Sequence, residues 1–274
     1  MAASRLASNK YGYRFGWPPS SSVEMERGRS TAHRSAVAVV VLLAGICGLI
    51  VATILLAFVP PWVNWPVGAI TALLCGLVMW YNATPFILRQ LEARAVSPAE
   101  EPRAYNLLEA LCTTSGIAKP QLMVYDKDLL GAGTLGRNRK HAVIVLSTKM
   151  ITLMSLVELE GVLAHELAHI KQGDNGLNAV SAALSTSLSW ISPKLGWTVF
   201  TRLQRVEREI EADLTGVAIT RYPPALCSVL DKVRTTNAEL MPLTEAPWKN
   251  AWPILWCWTR KSGLELRLAV LREL

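Results

Sequence analysis

The stretch Gly161-Val-Leu-Ala-His165-Glu166-Leu-Ala-His169-Ile170 combines the pattern H-E-x-x-H with apolar residues at helical spacing. Ser155 and Glu158 stand at the spacing of a capping box and predict where this helix begins. Positions i and i+4 lie on one helix face, so both imidazoles can reach a single metal ion about 2 Å away. Glu166 adjoins that face and is predicted to act as general base on a water bound to the same ion.

A second motif favours this metal site over two histidines that share an amphipathic helix by chance. Only four histidines occur in the chain, and two of them stand here at ligand spacing. Further along, Arg208-Glu209-Ile-Glu211-Ala212-Asp213 offers E-x-x-x-D on another predicted helix. Glu209 can supply a third ligand, which leaves a fourth position for water. Asp213, one turn on, can accept the outer N–H of a ligand histidine and fix its tautomer.

The two motifs, in this order, resemble those of the HtpX-like membrane metallopeptidases, which are relatives of the CAAX prenyl proteases. The similar region runs from about Pro98 to the C-terminus and is closest between Ala142 and Asp174. This resemblance implies a zinc endopeptidase with one Zn²⁺ per chain and a catalytic domain next to the membrane. It implies the ligands His165, His169 and Glu209 and the general base Glu166.

Composition indicates a membrane protein with a reduced, cytosol-facing domain. Hydrophobic residues make up 51% of the 274 residues, and the net charge is +7. Six basic and two acidic residues give residues 1–35 a charge of +4, which leaves +3 for the rest. No aromatic-basic patch accompanies this charge, so it predicts orientation in a membrane rather than nucleic-acid binding. The five cysteines form no C-x-x-C, which argues against disulfides and a cysteine zinc site.

Two apolar runs predict a transmembrane hairpin after a mobile basic tail at residues 1–35. The run from Ala36 to Val59 has 24 uncharged residues, which is the length of a membrane span rather than of a signal peptide. Pro60-Pro61 ends it, and a second run extends from Val67 to about Leu88 after a short turn. Basic residues flank only the outer ends of the pair, so both ends are predicted to be cytosolic. Aromatic residues expected at the membrane interfaces are Trp62, Trp65, Trp80 and Tyr81.

The predicted fold is mainly α with a small β-sheet: the hairpin at 36–88, then a gluzincin-type zinc peptidase domain at 89–274. A helix is predicted to start at Pro98 and to end before Gly116. Residues 121–126 and 142–147 are predicted strands because they are short and rich in β-branched residues.

The segment Gly131-Ala-Gly133-Thr-Leu-Gly136 has the form G-x-G-x-x-G. A strand rather than a helix follows it, so its context argues against dinucleotide binding and favours a turn or an edge strand. In the family that the chain resembles, this edge lines the cleft, usually with Asn-Ala-Phe, and pairs with extended substrate. Gly131, Ala132 and Gly133 occupy that position here, so they are predicted to bind substrate without the asparagine contact.

The segment from Leu177 to Phe200 is apolar, rich in serine, and broken by Pro193-Lys194. His169 and Glu209 must meet at one ion, so the chain between them crosses the membrane an even number of times. Two crossings need about 40 residues, and fewer separate these ligands. We therefore predict no crossing and a helix that lies on the bilayer or caps the cleft, with core packing as the alternative.

The C-terminal part holds two further features. Four tryptophans between 248 and 258 surround Pro253, which suits an interfacial anchor, a cleft wall or ordinary core. Residues 263–274 resemble the closing motif of the family, in which a histidine before prolines can polarise the substrate carbonyl. Here Lys261-Ser262-Gly263 stand in its place, and Arg267 keeps the matching arginine position. Arg267, or else Lys261, is predicted to stabilise the developing oxyanion, and an ion pair is the alternative for Arg267.

The sequence thus predicts a multi-pass membrane zinc endopeptidase that cleaves protein or peptide substrates, membrane proteins among them. The resemblance implies membrane-protein quality control in a bacterial plasma membrane, with the catalytic domain in the cytosol. The competing function is a membrane scaffold that retains the zinc helix but cleaves weakly or not at all, which the missing asparagine and histidine support. The physiological substrate and the oligomeric state stay open.

Overall fold

The computed structural model describes residues 22–127, 129–204, 206–240 and 263–274. The first part of the predicted tail, the tryptophan cluster and Lys261 therefore lie outside the described residues. Helix α1 runs Ser22–Leu55, so residues 22–35 of the predicted tail are helical, and their mobility stays a prediction. The apolar span that follows is helical, and its helix extends back over these residues.

Helices α1 and α2 (Pro61–Leu91) pack against each other as the predicted hairpin. Both contain segments long and apolar enough to cross a bilayer, Ala36–Leu55 and Pro61–Leu91. Gly68 allows the close approach, because a Cβ there would stand 2.9 Å from the Ala52 Cβ. The turn predicted at residues 62–66 is instead the start of α2, because Pro61 at the first helical position is preorganised for a helix.

A four-stranded sheet with the order β1-β2-β4-β3 forms the centre of the second part. The strands are β1 Arg94–Ala95, β2 Gln121–Tyr125, β3 Ala132–Leu135 and β4 Val143–Ser147. Strands β2 and β4 run parallel, whereas β3 pairs antiparallel with β4 and forms an edge. The strands predicted at 121–126 and 142–147 and the edge strand around the glycines are confirmed.

Helix α3 spans Pro102–Ser115, so its predicted start at Pro98 is wrong by one turn. Before it, the Ser97 N–H donates to Glu100 Oε2 at 2.7 Å, which holds a turn until Pro102 takes the first helical position. Gly116 ends the helix in the left-handed region at φ 66°, as the sequence predicts.

The remaining helices surround the sheet, and most of them form one core on its α5 face. Their bounds are α4 Thr148–Leu153, α5 Leu156–Gln172, α6 Asn175–Ile191, α7 Pro193–Leu203, α8 Val206–Thr220, α9 Pro223–Leu240 and α10 Leu264–Arg272. The 3-10 turn Arg139–His141 lies between β3 and β4. On the other sheet face, α2 and α6 build a second core, so the domain is packed directly on a spanning helix.

The segment 177–200 forms α6 and the start of α7, which meet at the predicted break before Pro193. Within the described residues, neither helix is among the two that could cross a bilayer. Ala179 and Val180 are buried against α2 and the sheet, so the core-packing alternative holds for the first turns of α6. At its far end Trp190 and Ile191 are exposed.

The predicted capping box at the start of α5 is present in both directions: the Ser155 hydroxyl accepts from the Glu158 N–H, and the Glu158 carboxylate accepts from the Ser155 N–H. Glu158 also accepts hydrogen bonds from Ser228 and Lys232 on α9, the latter at 2.7 Å. Although partial burial opposes ionisation, these donors together lower the pKa of Glu158 to about 2. One carboxylate thus fixes both the start of α5 and its contact with α9.

Replacing Glu158 by Gln should lower the melting temperature of the detergent-solubilised protein at pH 7 by a few degrees, or about 1 kcal/mol. Because its pKa is lowered in the folded state, its stabilisation is complete above about pH 4.5 and is lost as pH falls towards 2. The gap between wild type and variant should therefore close across this window. Glu109→Gln, which removes an exposed carboxylate paired with Lys119, is the control and should change little.

Candidate metal centre

Helices α5 and α8 bring three buried ligand groups to one point. His165 and His169 stand one turn apart on α5, and Glu209 lies in the first turn of α8. The two Nε2 atoms are 3.2 Å apart. The Glu209 carboxylate oxygens lie 3.5 Å from Nε2 of His165 and 3.7 Å from Nε2 of His169.

These separations fit a single tetrahedral ion. Two donors that each lie about 2.0–2.1 Å from an ion are about 3.3 Å apart at a tetrahedral angle. The three observed separations, from 3.2 to 3.7 Å, lie close to this value without rearrangement of the helices. Two histidine nitrogens and one carboxylate form the donor set of catalytic zinc sites, in which the fourth coordination position stays open for water.

The outer nitrogen of each imidazole is held by a buried carboxylate. His165 Nδ1 lies 2.8 Å from Oδ1 of Asp213, and His169 Nδ1 lies 3.1 Å from Asp174 Oδ2. With Nδ1–H donating outward, each Nε2 presents its lone pair to the common point. Both lone pairs and the negative charge of the Glu209 carboxylate then face one another, and this arrangement favours the binding of a cation.

Asp174 was not predicted as a site residue. Helix α5 ends at Gly173, whose φ of 83° turns the chain so that Asp174 can reach back to His169. The available signal was an aspartate five residues after a ligand histidine, directly behind a glycine that ends the helix. That pattern is too common on its own to single out a metal site.

Arg267 on α10 is fully buried in the same cluster. Its Nε and Nη2 donate to the two carboxylate oxygens of Asp213 at 2.6 and 2.7 Å, and Nη1 lies 3.4 Å from Glu209 Oε2. The structure therefore contains the ion pair that the sequence left open as the alternative for this arginine. A contact with the substrate oxyanion stays a prediction.

Electrostatics in the centre favour bound positive charge. Burial alone would raise the pKa of Glu209, but His169, His165 and Arg267 outweigh it and hold this pKa well below its usual range. Burial likewise lowers the histidine pKa values, yet Asp213 raises that of His165 and Glu209 raises that of His169 by more. The carboxylates that raise the imidazole pKa values also attract a metal ion, so protons and a metal ion compete for the same nitrogens.

The predicted base, Glu166, is held by the edge strand. Its carboxylate accepts a hydrogen bond from Thr134 Oγ1 at 2.7 Å, and the same hydroxyl lies 3.0 Å from its backbone carbonyl oxygen. Thr134 was missed by sequence reasoning, because nothing local to β3 indicates which residue faces α5. Gly131, just before this strand, and Ala132 and Gly133 at its start are buried, and their contact with substrate stays a prediction.

A chain with this site matches known peptidases. A family model described as BlaR1 peptidase M56 matches residues 31–247. A protease HtpX homolog of Gemmatimonas aurantiaca is 27% identical over 241 residues, which cover 76% of this chain and 84% of the relative. Protease HtpX homologs of Burkholderia mallei and Burkholderia pseudomallei are 29% identical over 199 residues, covering 61% of this chain and 69% of each relative. No solved structure matches the chain.

Two spanning helices, a His-His-Glu cluster and these relatives define an integral membrane protein of the metalloprotease class. The family model covers well over half of the sequence. The chain therefore belongs to the BlaR1 peptidase M56 family and is an HtpX-like peptidase. The resemblance drawn from the sequence is confirmed.

Gly216 offers a test of how the ligand helices are held together. A Cβ at Gly216 on α8 would stand 3.0 Å from the backbone nitrogen of His165, so Gly216→Ala should push α8 away from α5. We expect a loss of about 1–3 kcal/mol and weaker metal binding, measured by thermal unfolding and metal titration. Gly161→Ala on α5 is the matched control, because its Cβ would meet neighbours only at 3.5 Å. Equal behaviour of the two variants would contradict this account.

Proposed function

We propose that the protein is a zinc metalloendopeptidase that hydrolyses peptide bonds of protein substrates. One observation carries the proposal: the ligand atoms of His165, His169 and Glu209 converge in a buried site, and Glu166 stands between the two histidines on α5. An electron-transfer or purely structural site has no need of a carboxylate next to the ligands, whereas hydrolysis needs a base there.

The roles of the side chains follow from their chemistry. Zinc held by the three ligands would polarise the substrate carbonyl and acidify a water. Glu166 accepts the proton of the attacking water and returns it to the leaving amine. Thr134 restrains the Glu166 carboxylate, so less ordering of the base is needed during the reaction. Asp213 and Asp174 keep the imidazoles in the tautomer that binds metal.

Strand β3 is the proposed docking edge for the substrate. It is paired with β4 alone in the described sheet, and Thr134 connects it to the base. An extended peptide can add to such an edge by main-chain hydrogen bonds, which places its carbonyl near the site. Gly131, Ala132 and Gly133 carry little or no side chain, which allows close approach of a substrate backbone.

The proposed orientation places the peptidase domain, residues 89–274, in the cytosol. Arg34 and Arg89 flank the outer ends of the hairpin, residues 36–88, and positive charge favours the cytosolic side. The domain packs on the Leu91 end of α2, so it follows the same side. A role in membrane-protein quality control in a bacterial plasma membrane rests on the resemblance to HtpX-like proteases.

Metal content and peptide hydrolysis by the purified chain test this function. We expect about one zinc per chain, retained by Glu166→Gln and mostly lost in His165→Ala, His169→Ala and Glu209→Ala. Glu166→Gln should lower hydrolysis at least a hundredfold, because it removes the base and spares the ligands. Glu211→Gln, an exposed carboxylate on the same helix as Glu209, is the control. Zinc binding without any Glu166-dependent cleavage would support the scaffold instead.

A separate variant decides the role of Arg267. Arg267→Gln leaves the buried Asp213 carboxylate without its bidentate partner, so we expect stability and zinc affinity to fall together. The cost of breaking such a pair is about 3–5 kcal/mol. Thermal unfolding and zinc titration measure both effects. A hundredfold loss of turnover with stability and zinc content unchanged would instead establish the predicted oxyanion contact.

A further inference from the structure

The exposed face of α2 changes from apolar to polar near Tyr81. From Trp62 to Val78 its outward side chains are apolar, and they are 78% and 60% exposed at the two ends. From Tyr81 onward the exposed face carries Asn82 and Arg89. The distance from Trp62 to Tyr81 along the helix is about 28 Å, close to the roughly 30 Å of bilayer hydrocarbon. When α2 spans a bilayer with Trp62 at one boundary, Tyr81 therefore stands at the level of the lipid headgroups on the other side.

A basic loop contacts the helix at this level. Residues 137–141, Arg-Asn-Arg-Lys-His, follow β3 and include the 3-10 turn. The Arg137 guanidinium lies over the Tyr81 ring, 4.7 Å from its centroid. Lys140 and His141 are exposed, and Arg137 and Arg139 are half-buried. The loop thus holds three permanent cations beside a headgroup-level tyrosine.

The loop is held in place by its own contacts. Asn138 Oδ1 accepts from the His141 N–H at 3.1 Å and lies 2.8 Å from the ring Nδ1. At its start, the Gly136 carbonyl accepts from Asn175 Nδ2 at 3.2 Å. Gly136 has φ 141°, and a Cβ there would collide with the backbone of His141, so the position requires glycine. The cationic side chains of the loop therefore lie on an ordered turn.

A neighbouring apolar feature lies at the same end of α2. Trp190, at the end of α6, packs edge-on against Phe86, with ring centroids 6.3 Å apart. Ile191 beside it is 80% exposed, and Lys194 follows on α7. Exposed apolar side chains next to cations are typical of surfaces that rest in the interfacial zone of an anionic bilayer.

We propose that the loop 137–141 binds the phosphate groups of anionic phospholipids in the leaflet next to the peptidase domain. Its cations lie at headgroup level, where each Lys or Arg strengthens attraction to anionic lipid roughly fivefold. The loop is the direct continuation of β3, and Thr134 lies only three residues before Arg137. Lipid binding therefore steadies the strand that restrains Glu166. This coupling rests on the proposed peptidase function, whereas the lipid binding does not.

The binding is tested on the full chain carrying Glu166→Gln, reconstituted in nanodiscs of phosphatidylcholine with increasing phosphatidylglycerol. Hydrogen exchange of the amides from 136 to 142 should slow as phosphatidylglycerol rises. Lys140→Gln should raise the phosphatidylglycerol fraction needed for half of this protection roughly fivefold. Adding Arg137→Gln should abolish the protection. Should that double variant fail to fold, Lys140→Glu reverses an exposed charge and serves in its place.

The control is Arg234→Gln with Arg272→Gln, two cations that form ion pairs on α9 and α10. This pair of substitutions should leave the lipid response of the loop unchanged. Equal protection in phosphatidylcholine alone, or the same protection from added inorganic phosphate, would overturn the proposal.

In the chain with Glu166 intact, phosphatidylglycerol should speed peptide hydrolysis, and the loop double variant should lose this effect. Protection of the loop without hydrolysis in any bilayer would reject the peptidase function and leave lipid binding standing.

Discussion

Buried negative charge around two imidazoles is the constraint on which the rest of the structure depends. Asp174, Glu209 and Asp213 are almost fully buried, and Arg267 is the guanidinium that lies among them. With neutral imidazoles this set has a net charge of about −2, which is costly in a low-dielectric interior. Protons on His165 and His169 can neutralise it, and so can one divalent cation. Folding and metal binding therefore both depend on how the buried negative charge is neutralised.

Distant parts of the chain must meet for this balance to exist. The imidazoles lie on α5, Glu209 and Asp213 on α8, and the guanidinium on α10 near the C-terminus. Glycine at 216 permits the close contact between α5 and α8, and the Glu158 cluster holds the start of α5 to α9. A small change in the packing of these helices shifts ligand atoms by the tenths of an ångström that matter for metal geometry.

The same arrangement joins the site to the membrane. One face of the sheet contacts the helix that carries the ligands, and the other face packs with α6 on the spanning helix α2. Strand β3 is connected to both the site and the spanning helix, because Thr134 donates a hydrogen bond to Glu166 and Arg137 in the following loop contacts Tyr81. The sheet is thus the mechanical connection between the base and the lipid headgroups.

Local sequence by itself determined the helix of H-E-x-x-H, its capping box, two strands, the hairpin and the ligands offered at 165, 169 and 209, because periodicity, caps and ligand spacing act over a few residues. The starts of α1, α2 and α3 that local sequence predicted are wrong by one to four turns, because several short-range signals compete there. Tertiary structure alone decided that Thr134 restrains Glu166, that Asp174 reaches His169 and that Arg267 pairs with Asp213. Those contacts join residues on separate elements or across a helix end, and the chain creates them only by packing these elements around a shared buried charge.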